Sequence, residues 1–220
     1  ILATQYAGTI LTHQEGLFSS TYDTPAGRRW VLATDLEPSG ARRIFPGWDE
    51  PAFKATFSLS VTVPATFRAI SNMPVIREQV DGAGRKVVTF ASTPPMSSYL
   101  FVLAAGEYDR IAMNVEGTDV GVIAPRHQLA QGRYALGVAA RTLPYFNDYF
   151  GVKYPLPKLD NILVPRNFTG AMENWGGVIY SERALLFDDA IGSADDRKVV
   201  HEYVVHELAH QWFGNLVTMK

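Results

Sequence analysis

Hydrophobic and polar residues alternate without a break from Phe53 to Val63. Phe53, Ala55, Phe57, Leu59, Val61 and Val63 fall on one side, and Lys54, Thr56, Ser58, Ser60 and Thr62 on the other. A period of two predicts an antiparallel strand with one buried face. Further strands are expected at Ile1 to Ile10, Trp30 to Thr34, Arg85 to Phe90 and Ser98 to Ala104. Turn signals such as Asp81-Gly82-Ala83-Gly84 and Pro94-Pro95 separate them. Short strands so spaced predict a sandwich or an open, saddle-shaped sheet over residues 1–109.

The period changes after Asp109. Leu136, Ala140, Leu143 and Phe146 or Phe150 make one stripe of a helix over Gln131 to Phe150. Pro144 is expected to kink or break it, because an interior proline costs about 3 kcal/mol. Asn161 to Val164 and Gly177 to Tyr180 read as short strands. The clearest helix is Ser193 to Phe213, with Ser193 as its cap, Asp195 and Asp196 favouring the dipole in the first turn, and Gly214 as its stop. The expected fold class is α+β: an antiparallel β domain over 1–109, then a second domain over 110–220.

Composition narrows the function classes. The 220 residues are 47% hydrophobic and 19% charged, with a formal net charge of −2, so no broad basic field for nucleic acid is expected. The longest apolar runs, such as Tyr99 to Ala105, fall far short of a membrane span. Cys is absent, which excludes disulfides and thiolate metal ligands and leaves the compartment open. The chain opens at Ile1 on strand-like sequence without an initiator Met, and closes at Lys220 just after a helical pattern. It reads as an excerpt of a longer protein.

The last helix carries His206-Glu207-Leu208-Ala209-His210. Residues four apart lie about 40° apart around a helix, so both imidazoles leave one face and can grip one ion. Glu207 lies about 60° from His210, on the same side, where a carboxylate can take a proton from a water that zinc has acidified toward a pKa of about 7. An amphipathic helix that happens to carry two histidines is the bland alternative. His201 lies about 140° from His206 and about 180° from His210, so it cannot share their ion. It is expected at the surface or just behind the metal-binding residues, and isolated His13 and His127 are expected to have no role in the site.

Upstream stands Gly170-Ala171-Met172-Glu173-Asn174, followed by Trp175-Gly176-Gly177. Two small residues allow a second backbone to approach closely, as in strand addition at a sheet edge. A carboxylate beside such an edge can hold the ammonium group of a peptide. A plain turn before a strand is the alternative.

Together these segments resemble the aminopeptidase N family of gluzincin zinc aminopeptidases. Gly170 to Asn174 matches its exopeptidase motif, and His206 follows Glu173 by 33 positions, as in the family. The run from Val204 to Met219 is similar almost letter for letter, as is Ala41-Arg42-Arg43-Ile44-Phe45-Pro46-Gly47-Trp48-Asp49-Glu50-Pro51-Ala52-Phe53-Lys54-Ala55. Ser71-Asn72-Met73-Pro74 and Tyr154-Pro155-Leu156-Pro157-Lys158 match too, so the likeness covers essentially the whole chain.

The resemblance implies a saddle-like β-sandwich domain followed by the opening of a thermolysin-like catalytic domain. It implies one zinc ion on His206 and His210, with Glu207 as general base. Glu173 and Glu37 would hold the substrate's α-ammonium, with Gly170, Ala171, Met172, Asn174 and Asp35 lining the substrate. The implied substrates are peptides with a free amino terminus. A third ligand, a Glu, and a Tyr that steadies the oxyanion are expected beyond Lys220, so the excerpt alone is expected to be inactive. Asp35 stands where the family usually has Gln, and an extra carboxylate there would favour basic first residues. Gly47 replaces a frequent Cys. A zinc endopeptidase, a related epoxide hydrolase and a non-catalytic interaction protein remain as alternatives.

Overall fold

The computed structural model describes residues 2–218. The first strands are β1 (Gly16–Thr24), β2 (Gly27–Asp35), β3 (Lys54–Ala55), β4 (Ser60–Pro64), β5 (Arg68–Ser71), β6 (Val75–Val80), β7 (Arg85–Phe90), β8 (Met96–Ser97) and β9 (Leu103–Gly106). They form a four-stranded sheet in the order β1-β2-β9-β5, a three-stranded sheet β4-β7-β6 and the pair β3-β8, with every pairing antiparallel. The chain then enters a five-stranded sheet made from β10 (Tyr108–Val115), β11 (Thr118–Pro125), β12 (Lys158–Leu163), β13 (Ala171–Met172) and β14 (Gly177–Tyr180). Its order is β10-β11-β12-β14-β13, with β11, β12 and β14 parallel and the two outer strands antiparallel. Three helices accompany it: α1 (Arg133–Phe150), α2 (Glu182–Leu185) and α3 (Ala194–His210). Mostly antiparallel sheets followed by a mixed sheet with helices make the fold α+β.

Helix α1 is the crossover between parallel β11 and β12, and it covers one face of the sheet. Every residue of β12 is buried, as expected for a central parallel strand. Two of those residues are charged. Lys158 Nζ lies 2.8 Å from Asp160 Oδ2, and Arg110 Nε lies 2.8 Å from Asp160 Oδ1. Burial pushes the Asp160 carboxyl up, but Lys158 and Arg110 outweigh it and hold the group below its usual range.

One hydrophobic core runs through both halves of the chain and includes Phe18, Leu36, Tyr99, Leu143, Ile162, Ile179, Val204 and Leu208. A smaller cluster of Val63, Phe67, Val88 and Phe90 lies against the three-stranded sheet. Side chains of the first half also reach into the second. The Asn72 amide donates from Nδ2 to the carbonyls of Leu100 (2.8 Å) and Trp175 (2.9 Å), while its Oδ1 accepts from the Val102 amide at 3.1 Å.

Several expectations need correction. Residues 2–10 form no strand, and Ile1 lies outside the described residues. The strand in this region is β1, which pairs with β2 through a register that alternation within 1–10 could not reveal. The strand expected over 53–63 is split into β3 and β4. Its alternation survives in Phe57, Leu59, Val61 and Val63, which are at least half-buried, whereas Phe53 is exposed. Ser98–Leu100 is a 3-10 turn, so the strand expected at 98–104 begins only at Leu103. Helix α1 runs unbroken through Pro144, because burial of Leu136, Val138, Ala139, Leu143 and Phe146 outweighs the lost backbone bond.

Candidate metal centre

Local signals fix helix α3 at its start. Ser193 Oγ accepts from the Asp196 amide at 3.1 Å, and Asp196 Oδ2 accepts from the Ser193 amide at 3.0 Å, a reciprocal capping box. Val200, Val204 and Leu208 bury one stripe of the helix, and Glu207 is buried with them. His206 and His210 leave the same side one turn apart. Their Nε2 atoms stand 3.0 Å from each other. His210 Nδ1 lies 3.0 Å from the Phe213 carbonyl oxygen, and an Nδ1–H donating there leaves the lone pair on Nε2.

These residues fit a metal. Two imidazole nitrogens that each bind zinc at about 2.0–2.1 Å can share one ion at such a separation. Glu207 Oε2 is buried and has no hydrogen-bond partner among the described residues, which leaves an acceptor free for a ligand. Among the described residues no group of three or more His, Cys, Asp or Glu side chains could hold a metal. His201 is exposed, His13 is exposed at 3.3 Å from Glu15, and His127 stacks on Tyr22 with centroids 5.7 Å apart.

Two further carboxylates, Glu37 and Glu173, lie within electrostatic reach of the helix, and Asp35 lies near Glu173. Asp35 ends β2 and Glu37 follows it, while Glu173 stands in the loop between β13 and β14. Burial raises the Asp35 carboxyl against the bond from Gln14, whose Nε2 donates to Asp35 Oδ2 at 2.7 Å. Burial raises Glu37 too, with Glu173 and Asp35 adding to it and His210 opposing. Burial first, then Glu173 and Glu37, pushes Glu207 up to about 8. Asp35, Glu37 and Glu207, each raised by burial and by the neighbouring Glu173 carboxylate, make a cluster of acids suited to a cation.

The Gly170–Asn174 segment lies where a second strand has room. Strand β13 is the outermost strand of its sheet. Gly170 has φ +73°, a conformation that favours glycine, and a methyl group added there would meet open space. Ala171 is half-buried, whereas Met172 is buried and pairs with Ile179. Asn174 turns inward, its Nδ2 donating to the carbonyls of Tyr99 (3.4 Å) and Phe101 (3.3 Å).

Sequence reasoning missed three residues here. Tyr99 is buried, and its hydroxyl is driven up by burial and by the Glu173 and Glu37 carboxylates it faces. Gln211 and Asn215 are fully buried, and both donate to the Glu173 carbonyl oxygen, from Nε2 at 3.1 Å and from Nδ2 at 2.8 Å. Gln211 was within reach of the pattern, since it stands one turn after Glu207. Asn215 was not, because its bond spans 42 residues.

Comparison with known proteins agrees with this geometry. Residues 1–100 match the description "Peptidase M1 N-terminal domain", and residues 134–220 match "Peptidase family M1 domain". The chain is 47% identical over 220 residues to "Aminopeptidase N" of Acetobacter pasteurianus, which covers 99% of this chain and 62% of that protein. It is 46% identical to "Aminopeptidase M1-A" of Oryza sativa subsp. japonica, over 100% of this chain and 25% of the relative. With "Puromycin-sensitive aminopeptidase" of Caenorhabditis elegans the identity is 42%, over 98% of this chain and 23% of the relative. The chain therefore spans 62% of the bacterial relative's length and about a quarter of the other two. With both halves matching successive descriptions in order, around a helix that presents paired imidazoles beside a buried carboxylate, the chain belongs to peptidase family M1.

Proposed function

We propose that the protein to which these residues belong is a zinc aminopeptidase that removes the first residue from peptides with a free amino terminus. The observation that carries this reading is the unpartnered, buried Glu207 Oε2 beside the His206–His210 pair, with Glu173 and Glu37 close enough to perturb it. Zinc held by the two imidazoles would polarise the scissile carbonyl and acidify the attacking water.

The chain's own residues do the rest. Glu173 and Glu37 take the α-ammonium, which places the first peptide carbonyl over the imidazole pair. Backbone from Gly170 and Ala171 pairs with the substrate along the free edge of β13. Glu207 accepts the water proton at Oε2 and delivers it to the leaving amine. A peptide shifted forward by one residue would leave the buried Glu173 carboxylate without a counter-charge, and this enforces cutting at the first bond. We place the division of labour at residues 1–109 for the β domain that supplies Asp35 and Glu37, and 110–220 for the metal-binding part. Two imidazoles hold zinc far less well than a complete ligand set, so residues 1–220 alone should turn over little substrate.

The relatives named above are called aminopeptidases, which supports the same reading. The test compares the intact protein on a peptide with a free amino terminus and on its N-acetylated twin. Release of the first residue from the free form alone is expected; equal cleavage of both would make it an endopeptidase.

A further inference from the structure

The carbonyl of Glu173 is held by side chains that belong to the metal helix and its exit. Gln211 Nε2 donates both to Glu173 O and to Glu207 O, each at 3.1 Å. Asn215 Nδ2 donates to Glu173 O at 2.8 Å. One amide thus links the backbone of the proton-transferring residue to the backbone of the ammonium-binding residue, and a second amide reinforces the link.

The chemistry of these amides is telling. Both side chains are fully buried, and Gln211 Oε1 and Asn215 Oδ1 have no hydrogen-bond partner among the described residues. If filling space were the only requirement, Met or Leu would do so without burying an orphan acceptor. The NH2 ends must face Glu173 O and Glu207 O, because both of those atoms only accept. From the other side, Asn72 Nδ2 holds the Trp175 carbonyl at 2.9 Å, so the loop cannot follow Glu173 if the clasp opens.

We propose that Gln211 and Asn215 are positioning residues that set the distance between the imidazole pair and the Glu173 carboxylate. That distance fixes how much peptide fits ahead of the bond to be cut. The inference deepens the aminopeptidase reading and rests on it. Neither residue touches substrate. Each acts through the Glu173 main chain, so the quantity it controls is selectivity for a free amino terminus.

The experiment uses the intact protein with Gln211→Met and Asn215→Leu, made separately. Zinc content, kcat and KM are measured on an aminoacyl anilide and on its N-acetylated form. Each variant should load zinc like the wild type and raise KM for the free-amine substrate more than it lowers kcat. The ratio of kcat/KM between free and acetylated substrates should fall about 10- to 100-fold, as expected for a small displacement of a binding group. Two independent positions are available, so one folded, zinc-loaded variant suffices. Unchanged discrimination in such a variant overturns the proposal. So does loss of fold or zinc in both, because the amides would then be structural supports. A wild type that cleaves both substrates equally would refute the aminopeptidase reading and this inference with it; a discriminating wild type with discriminating variants refutes this inference alone.

Discussion

Asp160→Asn tests the account of the charged centre beneath the mixed sheet. The carboxylate is buried in β12 and contacts Lys158 Nζ and Arg110 Nε at 2.8 Å each. Lys158 is itself buried, and the only other partner of its Nζ among the described residues is the Gly176 carbonyl at 2.6 Å. Arg110 keeps Asp119 at 3.0 Å, half in solvent. Removing the charge from Asp160 therefore strands Lys158 rather than Arg110. Breaking a buried pair in this way costs about 3–5 kcal/mol. For a cooperative unit of this size each kcal/mol moves the melting temperature by about 2–4 °C, so a drop of about 6–20 °C is expected.

The same pairing fixes the pH dependence. The folded carboxyl is held below its ordinary value, so its stabilisation is complete above the unfolded pKa of about 3.9 and is lost as pH falls through the folded value. Wild type and variant should therefore differ fully at pH 6–8, about two units or more above the unfolded pKa, and converge below about pH 4. Calorimetry of the intact protein at several pH values measures both effects. A drop under about 2 °C at neutral pH, or a gap that widens in acid, would refute the reasoning.

Three further outcomes are expected. Glu207→Gln should abolish turnover while zinc content and substrate binding persist, because the amide cannot accept the water proton; metal analysis and a binding titration check this, and full activity would remove Glu207 from the mechanism. Asp35→Gln should reduce any preference for arginyl over alanyl anilides in the intact protein, and equal turnover of the two by the wild type would count against a role for the Asp35 charge. Gly176→Ala should cost about 3 kcal/mol or more, since φ is +80° and a methyl group would run into the Asn72 carbonyl oxygen; a melting temperature within about 2 °C of wild type would contradict it.

What the sequence made legible was local. Helix α3 could be read because its cap, its acidic first turn and its buried stripe all lie within one short segment. Strands β7 and β14 were legible for the same reason, having the expected bounds of Arg85–Phe90 and Gly177–Tyr180. Strand β1 was not, because Gly16 to Thr24 mixes Ser, Thr and Asp with its apolar residues and gains its character only by pairing with β2. Pro144 misled because its local cost is real, while the burial that offsets it comes from distant strands. At the site, types and spacing pointed to His206, Glu207, His210 and Glu173. The clasp on the Glu173 carbonyl stayed hidden, since side chain to backbone bonds across 38 and 42 residues leave no periodic trace.

The Asn72 bridge has a consequence for how this part of the molecule changes over time. Because one amide from the front half grips the turn just after Glu173, the loop that carries Glu173 is tied to a stretch of chain 103 residues away. Exchanging the front half for that of a distant relative would disturb the Glu173 loop as well as its surroundings. A change at Asn72 is therefore expected to be felt at Glu173, far along the chain.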